Sequence, residues 1–363
     1  MQKKERKIER FSKYAMYFGS IICAVCILST GAVFGQDKTD ATEGLPTPHR
    51  TYDFTGDIRT DFTVLELGAT GTPVTWKTRE NGGSGATSGQ VHGIVGDNVS
   101  SSGDYTGGLK AEYTVWRNGI FYISPFGGGT TEYKYFGQAG DNLGRVGDYD
   151  GDGKDDECVI RIIGAAPNQI LHWLIRNSSN GAYRDVQFGR LVAGESTLAF
   201  QGADFNGDGR EELIIAQVVN GTGATTWHIA DALTGAYVLR CQWGNFNIDF
   251  LINPDDYTGD GKADLVAWRA GGTGADARYW FIRNTATGAL VAPQLFGIGD
   301  PDFLDQDFPV RGDYDGDGIA DVAVWRPTTG EFWWINSSNG QVPSPVVWGT
   351  GADDNPLANF FTF

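Results

Sequence analysis

Beyond residue 35 the apolar residues of this chain fall into short runs, such as Asp321 to Trp325 and Asp264 to Trp268, separated by clusters of Gly, Asp, Asn and Thr. Several runs are apolar at consecutive positions, the pattern of strands covered on both faces. No stretch sustains an apolar period of i, i+3, i+4, i+7, so strands are predicted throughout and helices nowhere. The runs are punctuated by NG and TG pairs, which supply the positive φ that tight hairpins need.

The runs repeat. The segment GDYDGDGIADVAVWRPTTGEFWWINSSNGQVPSPVVWG, residues 312–349, has relatives beginning at Gly147 (GDYDGDGKDDECVIR), Ala203 (ADFNGDGREELIIAQ) and Asp255 (DDYTGDGKADLVAWR). Weaker copies begin at Tyr52 (YDFTGDIRTDFTVLE) and Gly103 (GDYTGGLKAEYTVWR). Each unit runs a strand into an acidic loop, then an apolar strand, an aromatic strand ending in a turn, and a last strand closed by an aromatic-Gly pair. These pairs are Phe136-Gly137, Phe188-Gly189, Trp243-Gly244, Phe296-Gly297 and Trp348-Gly349. A four-stranded unit recurring roughly every 50 residues fits a radial propeller, in which each blade buries both faces against its neighbours. The expected fold is therefore all-β, a β-propeller of six four-stranded blades occupying residues 51–363. Residues 356–363 resemble the strand before each acidic loop and are expected to close the ring near Arg50–Phe54. A seventh blade built from the two chain ends is the alternative.

The acidic loops follow D-x-[DNT]-G-D-G-x-x-[DE]. Alternating hard oxygens in a glycine-permitted turn can wrap a calcium ion, which takes six to eight of them in flexible geometry. The fullest sets are Asp148, Asp150, Asp152 and Asp156; Asp204, Asn206, Asp208 and Glu212; and Asp313, Asp315, Asp317 and Asp321. Asp256, Thr258, Asp260 and Asp264 form a fourth. In each, a backbone carbonyl at the seventh position is expected to complete the set. The last acid stands at position nine, at the head of a strand. An EF-hand needs it at position twelve between helices, so that motif is excluded. Two loops depart from the pattern. Asp53, Thr55, Asp57 and Asp61 keep their oxygens while Ile58 replaces the turn glycine, so weak binding is expected there. In the other, Gly108 replaces an acid and Lys110 adds a positive charge, leaving Asp104, Thr106 and Glu112, and no binding is expected. Asp-Gly clusters also make turns without any metal; the shared ligand spacing of four loops favours calcium.

These units resemble FG-GAP repeats of VCBS-type bacterial proteins, which are related to the propeller heads of integrin α-subunits. The similarity covers residues 52–349 and is carried by the GDYDGDGxADxAVW signature. It implies a propeller whose loops bind calcium near one end of the blades. It implies no single activity, since such repeats occur in adhesins, lectin-like modules and non-catalytic parts of larger enzymes.

The first 35 residues differ in character. Lys3, Lys4, Arg6, Lys7, Arg10 and Lys13 precede a mostly apolar run from Tyr14 to Phe34, with small residues near Gly35. This reads as a secretory signal peptide, followed by a linker over residues 36–50. The run also approaches spanning length, so an uncleaved membrane anchor is the alternative. The product is expected to be secreted or on the cell surface, with the periplasm as another destination. The chain already carries a net charge of −17, and loss of the basic leader makes it more acidic still. Such a surface repels phosphates and argues against nucleic-acid partners. Cys23 and Cys26 lie in the leader; Cys158 and Cys241 fall in different repeats and read as buried thiols or one disulfide.

Other features have bland readings. Arg311-Gly312-Asp313 spells a cell-attachment tripeptide, but Asp313 is also a proposed calcium ligand. Most tryptophans recur at equivalent strand positions, as packing between blades demands; Trp76 and Trp333 stand apart as candidates for a wetter face. His49, His92, His172 and His228 are scattered without metal-ligand spacing, and Asn98, Asn177, Asn220 and Asn336 sit in glycosylation sequons that otherwise read as turn asparagines. The expected function is therefore a non-catalytic, calcium-stabilised binding or adhesion module with an extracellular protein or glycan partner. Its rivals are a lectin using clefts between blades and a propeller-fold polysaccharide lyase or hydrolase. The last would need an acid, a base and a cation gathered at the central channel.

Overall fold

The computed structural model describes residues 52–357 apart from 100–101, 144–145, 167, 271–276, 300–305 and 351–353. The expectations for the leader, the linker and residues 358–363 lie outside the described residues. All regular structure among the described residues is β, in six antiparallel sheets.

Blade one orders β23 (Asp354–Pro356), β1 (Phe62–Glu66), β2 (Pro73–Arg79) and β3 (Thr87–Ile94). Blade two holds β4 (Tyr113–Arg117), β5 (Ile120–Ser124) and β6 (Glu132–Tyr135), with its inner strand reduced to the bridges Asn98–Trp116 and Gly103–Glu112. Blade three holds β7 (Asn142–Leu143), β8 (Glu157–Ile163), β9 (Ile170–Arg176) and β10 (Tyr183–Arg190). Blade four runs β11 (Glu195–Ala203), β12 (Glu212–Val219), β13 (Ala224–Ala230) and β14 (Tyr237–Asn245). Blade five runs β15 (Asp249–Asp255), β16 (Asp264–Ala270), β17 (Ala277–Arg283) and β18 (Gln294–Ile298). Blade six runs β19 (Phe308–Val310), β20 (Val322–Arg326), β21 (Glu331–Ile335) and β22 (Val346–Val347). The architecture is a six-bladed β-propeller, and no seventh blade forms among the described residues.

Closure uses the C-terminal segment, as expected, but in a different register. β23 pairs with β1, Val64 opposite Pro356 and Glu66 opposite Asp354, rather than with the chain near Arg50–Phe54. The Leu357 amide extends the ladder to the Thr63 carbonyl at 3.0 Å. The segment thus supplies the inner strand that blade one lacks and leaves β1 no open edge.

The aromatic-Gly pairs explain themselves in packing. Each aromatic carbonyl accepts a tryptophan indole N–H from its own blade, Trp173 to Phe188 at 2.9 Å and Trp227 to Trp243 at 3.0 Å. The glycine then turns at positive φ against the next blade; a Cβ on Gly189 (φ +86°) would lie 2.6 Å from Ile215 Cδ1. Trp173, Trp227 and Trp280 are fully buried at equivalent positions of their third strands. Trp76 belongs to the same column and is fully buried too, its indole donating to the His92 carbonyl at 2.8 Å. The expectation of a wetter face for Trp76 is therefore corrected. Trp333 is half-buried beside the blade-five cluster. Truncating a buried tryptophan of this kind to alanine costs about 3–5 kcal/mol.

A second device between blades was not anticipated. Asp141, Asp249 and Asp307, at or just before the inner strands, accept backbone N–H groups from the end of the preceding blade: Gln138 at 2.9 Å, Asn245 at 2.6 Å and Ile298 at 2.8 Å. The same carboxylates take forked hydrogen bonds from Arg161, Arg269 and Arg326 of their own blades. Asp97 and Arg117 repeat the arrangement in blade two. At the seam, Asp354 takes the Thr350 amide at 2.6 Å and pairs with Lys77 at 3.2 Å. The spacing of about 20 residues hides these pairs in sequence.

Candidate metal loops

Each acidic loop leads into the second strand of its blade, in blades two to six from that blade's inner strand, and so the loops gather at one end of the propeller around its axis. Their backbones are fixed by the acids themselves. At position one, Asp148 accepts N–H groups of Gly151, Asp152 and Gly153 at 2.7, 3.1 and 2.8 Å, and Asp313 those of Gly316, Asp317 and Gly318 at 2.6, 3.3 and 2.7 Å. Asp53, Asp104, Asp204 and Asp256 act in the same way. The loops also bond to one another. The position-eight amide of each donates to the position-one carbonyl of the loop before it. These bonds run Ala111 to Asp53, Asp155 to Asp104, Glu211 to Asp148, Ala263 to Asp204, Ala320 to Asp256 and Thr60 to Asp313, at 2.7–2.9 Å.

The acid at position nine is buried in every loop. One of its oxygens accepts the position-two amide, as in Tyr149 to Asp156 at 3.0 Å, Phe205 to Glu212 at 2.7 Å and Tyr314 to Asp321 at 2.7 Å. Burial first, with neighbouring carboxylates adding to it, pushes Asp156 and Glu212 up to about 8. It pushes Asp61, Glu112, Asp264 and Asp321 up to about 7. Burial of this kind disfavours the charged form of each acid, and among the described residues only Asp156 of the six has a cation within ion-pair distance, Arg184 at 3.9 Å.

Carboxylate oxygens converge within 4.8 Å of one another in three loops: Asp148, Asp150 and Asp156; Asp204, Asp208 and Glu212; Asp313, Asp315 and Asp321. Asp152 and Asp317 lie in the same loops outside these groups. Asn206 donates its amide to Asp208 at 3.2 Å and Glu212 at 2.7 Å within the blade-four group. In blade five, Asp256, Asp260 and Asp264 form no such group, and Thr258 accepts a hydrogen bond from Asn284. Asp53, Asp57 and Asp61 with Thr55 likewise do not converge. In blade two, Thr106 donates to Glu112.

The donor set in blades three, four and six suits a hard divalent cation. It consists of carboxylate oxygens, supplemented by side-chain amides, on a turn that glycines allow to curl. Asp150 Oδ1 and Asn206 Oδ1 are sealed from solvent without a hydrogen-bond partner, oxygens that a cation would satisfy. If calcium is bound, these residues hold it, and it supplies charge neutralisation to buried acids. Position seven bears a basic side chain in five loops, and each lies over the position-four glycine of the preceding loop, Lys110 on Gly56 and Arg210 on Gly151 among them. Ile319 holds that place over Gly259.

The remaining candidates have other uses. Arg311 is fully buried, donating to Asp255 at 2.6 Å and Gln201 at 3.1 Å. Its tripeptide with Gly312 and Asp313 is thereby tied into the ring. Gln201 also reaches Tyr52 Oη at 3.1 Å, a bond between opposite blades that crosses the axis. His92 bonds the Tyr122 carbonyl, His172 bonds Asp185, and His228 bonds Tyr237. Cys158 and Cys241 are both free thiols.

No protein-family model matches the chain, and no curated protein is similar to it in sequence. Among solved structures, an ACO/RPE65 chimera is 12% identical with a TM-score of 0.43, over 79% of this chain and 78% of that one. The structure of the Dos1 propeller is 11% identical with a TM-score of 0.37, over 84% and 75%. The propeller assignment rests on the strand pairing itself.

Proposed function

We propose that this chain is an exported calcium-binding propeller of the FG-GAP or VCBS kind, acting as a non-catalytic binding or adhesion module. The observation that carries the reading is the convergence of carboxylates in blades three, four and six around a buried, poorly solvated acid. Calcium there neutralises repulsion within each loop, and the ring of amide-carbonyl bonds ties the ordered loops into one rigid face. At the axis Arg311 bonds Asp255 and Gln201, and Gln201 bonds Tyr52, so these side chains tie the blades together. The module works outside the cell, in solution or at the surface, and its partner is an extracellular protein or glycan met at the loop face.

The test is calcium titration of the chain lacking residues 1–35, followed by thermal melting with and without chelator. A ligand that binds only the folded state raises its stability, so melting should fall in chelator and recover with calcium more than with magnesium. An unchanged melt after removal of bound metal overturns the reading. A glycan array on the calcium-loaded protein separates glycan from protein partners.

A further inference from the structure

In blades one, three, five and six the turn between the third and fourth strands stands over the acidic loop, and in blades three and six it reads Asn-Ser-Ser-Asn-Gly. Its amides reach the buried position-nine acid, Ser178 to Asp156 at 2.6 Å and Ser337 to Asp321 at 2.7 Å. Its hydroxyls reach the other acids. Ser178 donates to Asp152 at 2.9 Å and Ser179 to Asp150 at 2.5 Å; Ser337 donates to Asp317 at 2.9 Å and Ser338 to Asp315 at 2.6 Å. The asparagine that opens each turn, Asn177 or Asn336, adjoins these contacts, yet its Oδ1 is sealed from solvent and has no hydrogen-bond partner.

The other blades show why this is unusual. In blades four and five the same position holds Asp231 and Asn284, and a threonine follows three residues later. Thr234 gives Asp231 Oδ1 two hydrogen bonds, at 2.8 and 2.6 Å, and Thr287 gives Asn284 Oδ1 two at 2.7 Å. In blades three and six that threonine is replaced by Asn180 and Asn339, which have no hydroxyl to donate. The oxygen is thus released from the turn in the two blades whose loops carry aspartate at positions one, three, five and nine. Where the amide of this residue is engaged, it contacts the loop: Asn284 Nδ2 lies 2.8 Å from Thr258 Oγ1 and 2.6 Å from Asp260 Oδ2, at positions three and five.

We propose that Asn177 and Asn336 are calcium ligands through Oδ1, so that the sites of blades three and six are built from two turns. A neutral amide oxygen is an ordinary calcium donor, and a buried acceptor without a donor is costly unless something satisfies it. The serine hydroxyls hold the carboxylates in place, as supporting groups do around bound metals. The inference rests on the calcium reading of the loops.

The experiment compares the chain lacking residues 1–35 with its Asn177→Ala/Asn336→Ala variant, by calcium titration and by terbium luminescence lifetimes in light and heavy water, which count metal-bound waters. The double variant should weaken two sites about tenfold and add about one water at each. Asn177→Asp/Asn336→Asp keeps an oxygen and should bind at least as tightly as the parent, while Asn284→Ala should leave the water count unchanged. If the parent binds calcium and the alanine variant matches it in affinity and water count, the two-turn site is wrong although the loops bind metal. If the parent binds no calcium, the reading beneath it fails as well. Should the alanine variant fold poorly, an aspartate variant that binds more weakly than the parent overturns the proposal alone.

Discussion

The Thr60 amide donates to the Asp313 carbonyl at 2.7 Å across the seam where the first blade meets the last. It is the sixth member of a ring in which every acidic loop holds its neighbour. The loops are therefore a structural belt even before any metal is considered. Position-one acids shape their own turns, position-eight amides join the turns, and in blades three, four and six the position-one acid converges with the position-nine acid and one acid between them.

Loop strength should follow the acids that converge. Asp315→Ala removes a converging carboxylate from blade six and should lose about one bound calcium. Asp104→Ala should leave the calcium count unchanged yet lower stability by about 1–3 kcal/mol, because it strips the acceptor from the Gly107, Gly108 and Leu109 amides. Metal analysis and denaturant unfolding read the two effects separately, and equal calcium losses would contradict the assignment.

Two loops keep their shape under strain. Ile58 and Leu109 stand where the other loops have glycine, at φ of 72° and 57°, and both side chains are exposed. A side chain in that conformation costs about 1–2 kcal/mol, and no burial offsets it. Ile58→Gly and Leu109→Gly should each stabilise the protein by about 1 kcal/mol, seen as a higher urea midpoint. A lower midpoint would mean that these side chains make contacts of value.

The metal-free protein should lose stability as pH rises. Asp61, Glu112, Asp156, Glu212, Asp264 and Asp321 are pushed up to about 7 or 8 when folded, against an unfolded value near 4. Between those values the folded state binds more protons, so stability falls with pH until both states are ionised. Unfolding in chelator should therefore give a higher midpoint at pH 5.5 than at pH 8.5 (both roughly chosen to bracket the shift). A midpoint that rises with pH would show that the acids are not buried as described.

Closure should govern the whole ring. Removing residues 354–363 takes away β23, exposes the β1 edge and unpairs Lys77 from Asp354, while removing no residue of an acidic loop. The truncated chain should melt lower and associate, as read by calorimetry and light scattering. A monomer with unchanged melting would show that the seam holds without this strand.

Burial of Arg311 is another point of leverage. Burial opposes its charge, and the Asp255 carboxylate more than compensates. Arg311→Ala leaves Asp255 unpaired and Gln201 short of a donor, and should cost about 3–5 kcal/mol. Arg311→Ala with Asp255→Ala should recover part of that loss, and a double variant no better than the single one would count against the pairing.

Sequence alone determined the repeat, the strand grammar and the acidic loops, because each is local: alternation, turn glycines and a nine-residue spacing survive in one dimension. It also showed that the C-terminal segment is a spare inner strand. Tertiary structure decided what depends on pairs far apart. The Asp249–Arg269 kind of clamp joins residues about 20 apart in the sequence, and the Trp76 column, the register of Asp354 on Glu66 and the bond from Gln201 to Tyr52 join residues that no local motif marks. The outer turn belongs here too. Asn177 read as an ordinary turn asparagine, since nothing in its neighbourhood along the chain marks it. Only folding of the blade brings Ser178 onto Asp156 and leaves the oxygen beside it without a donor.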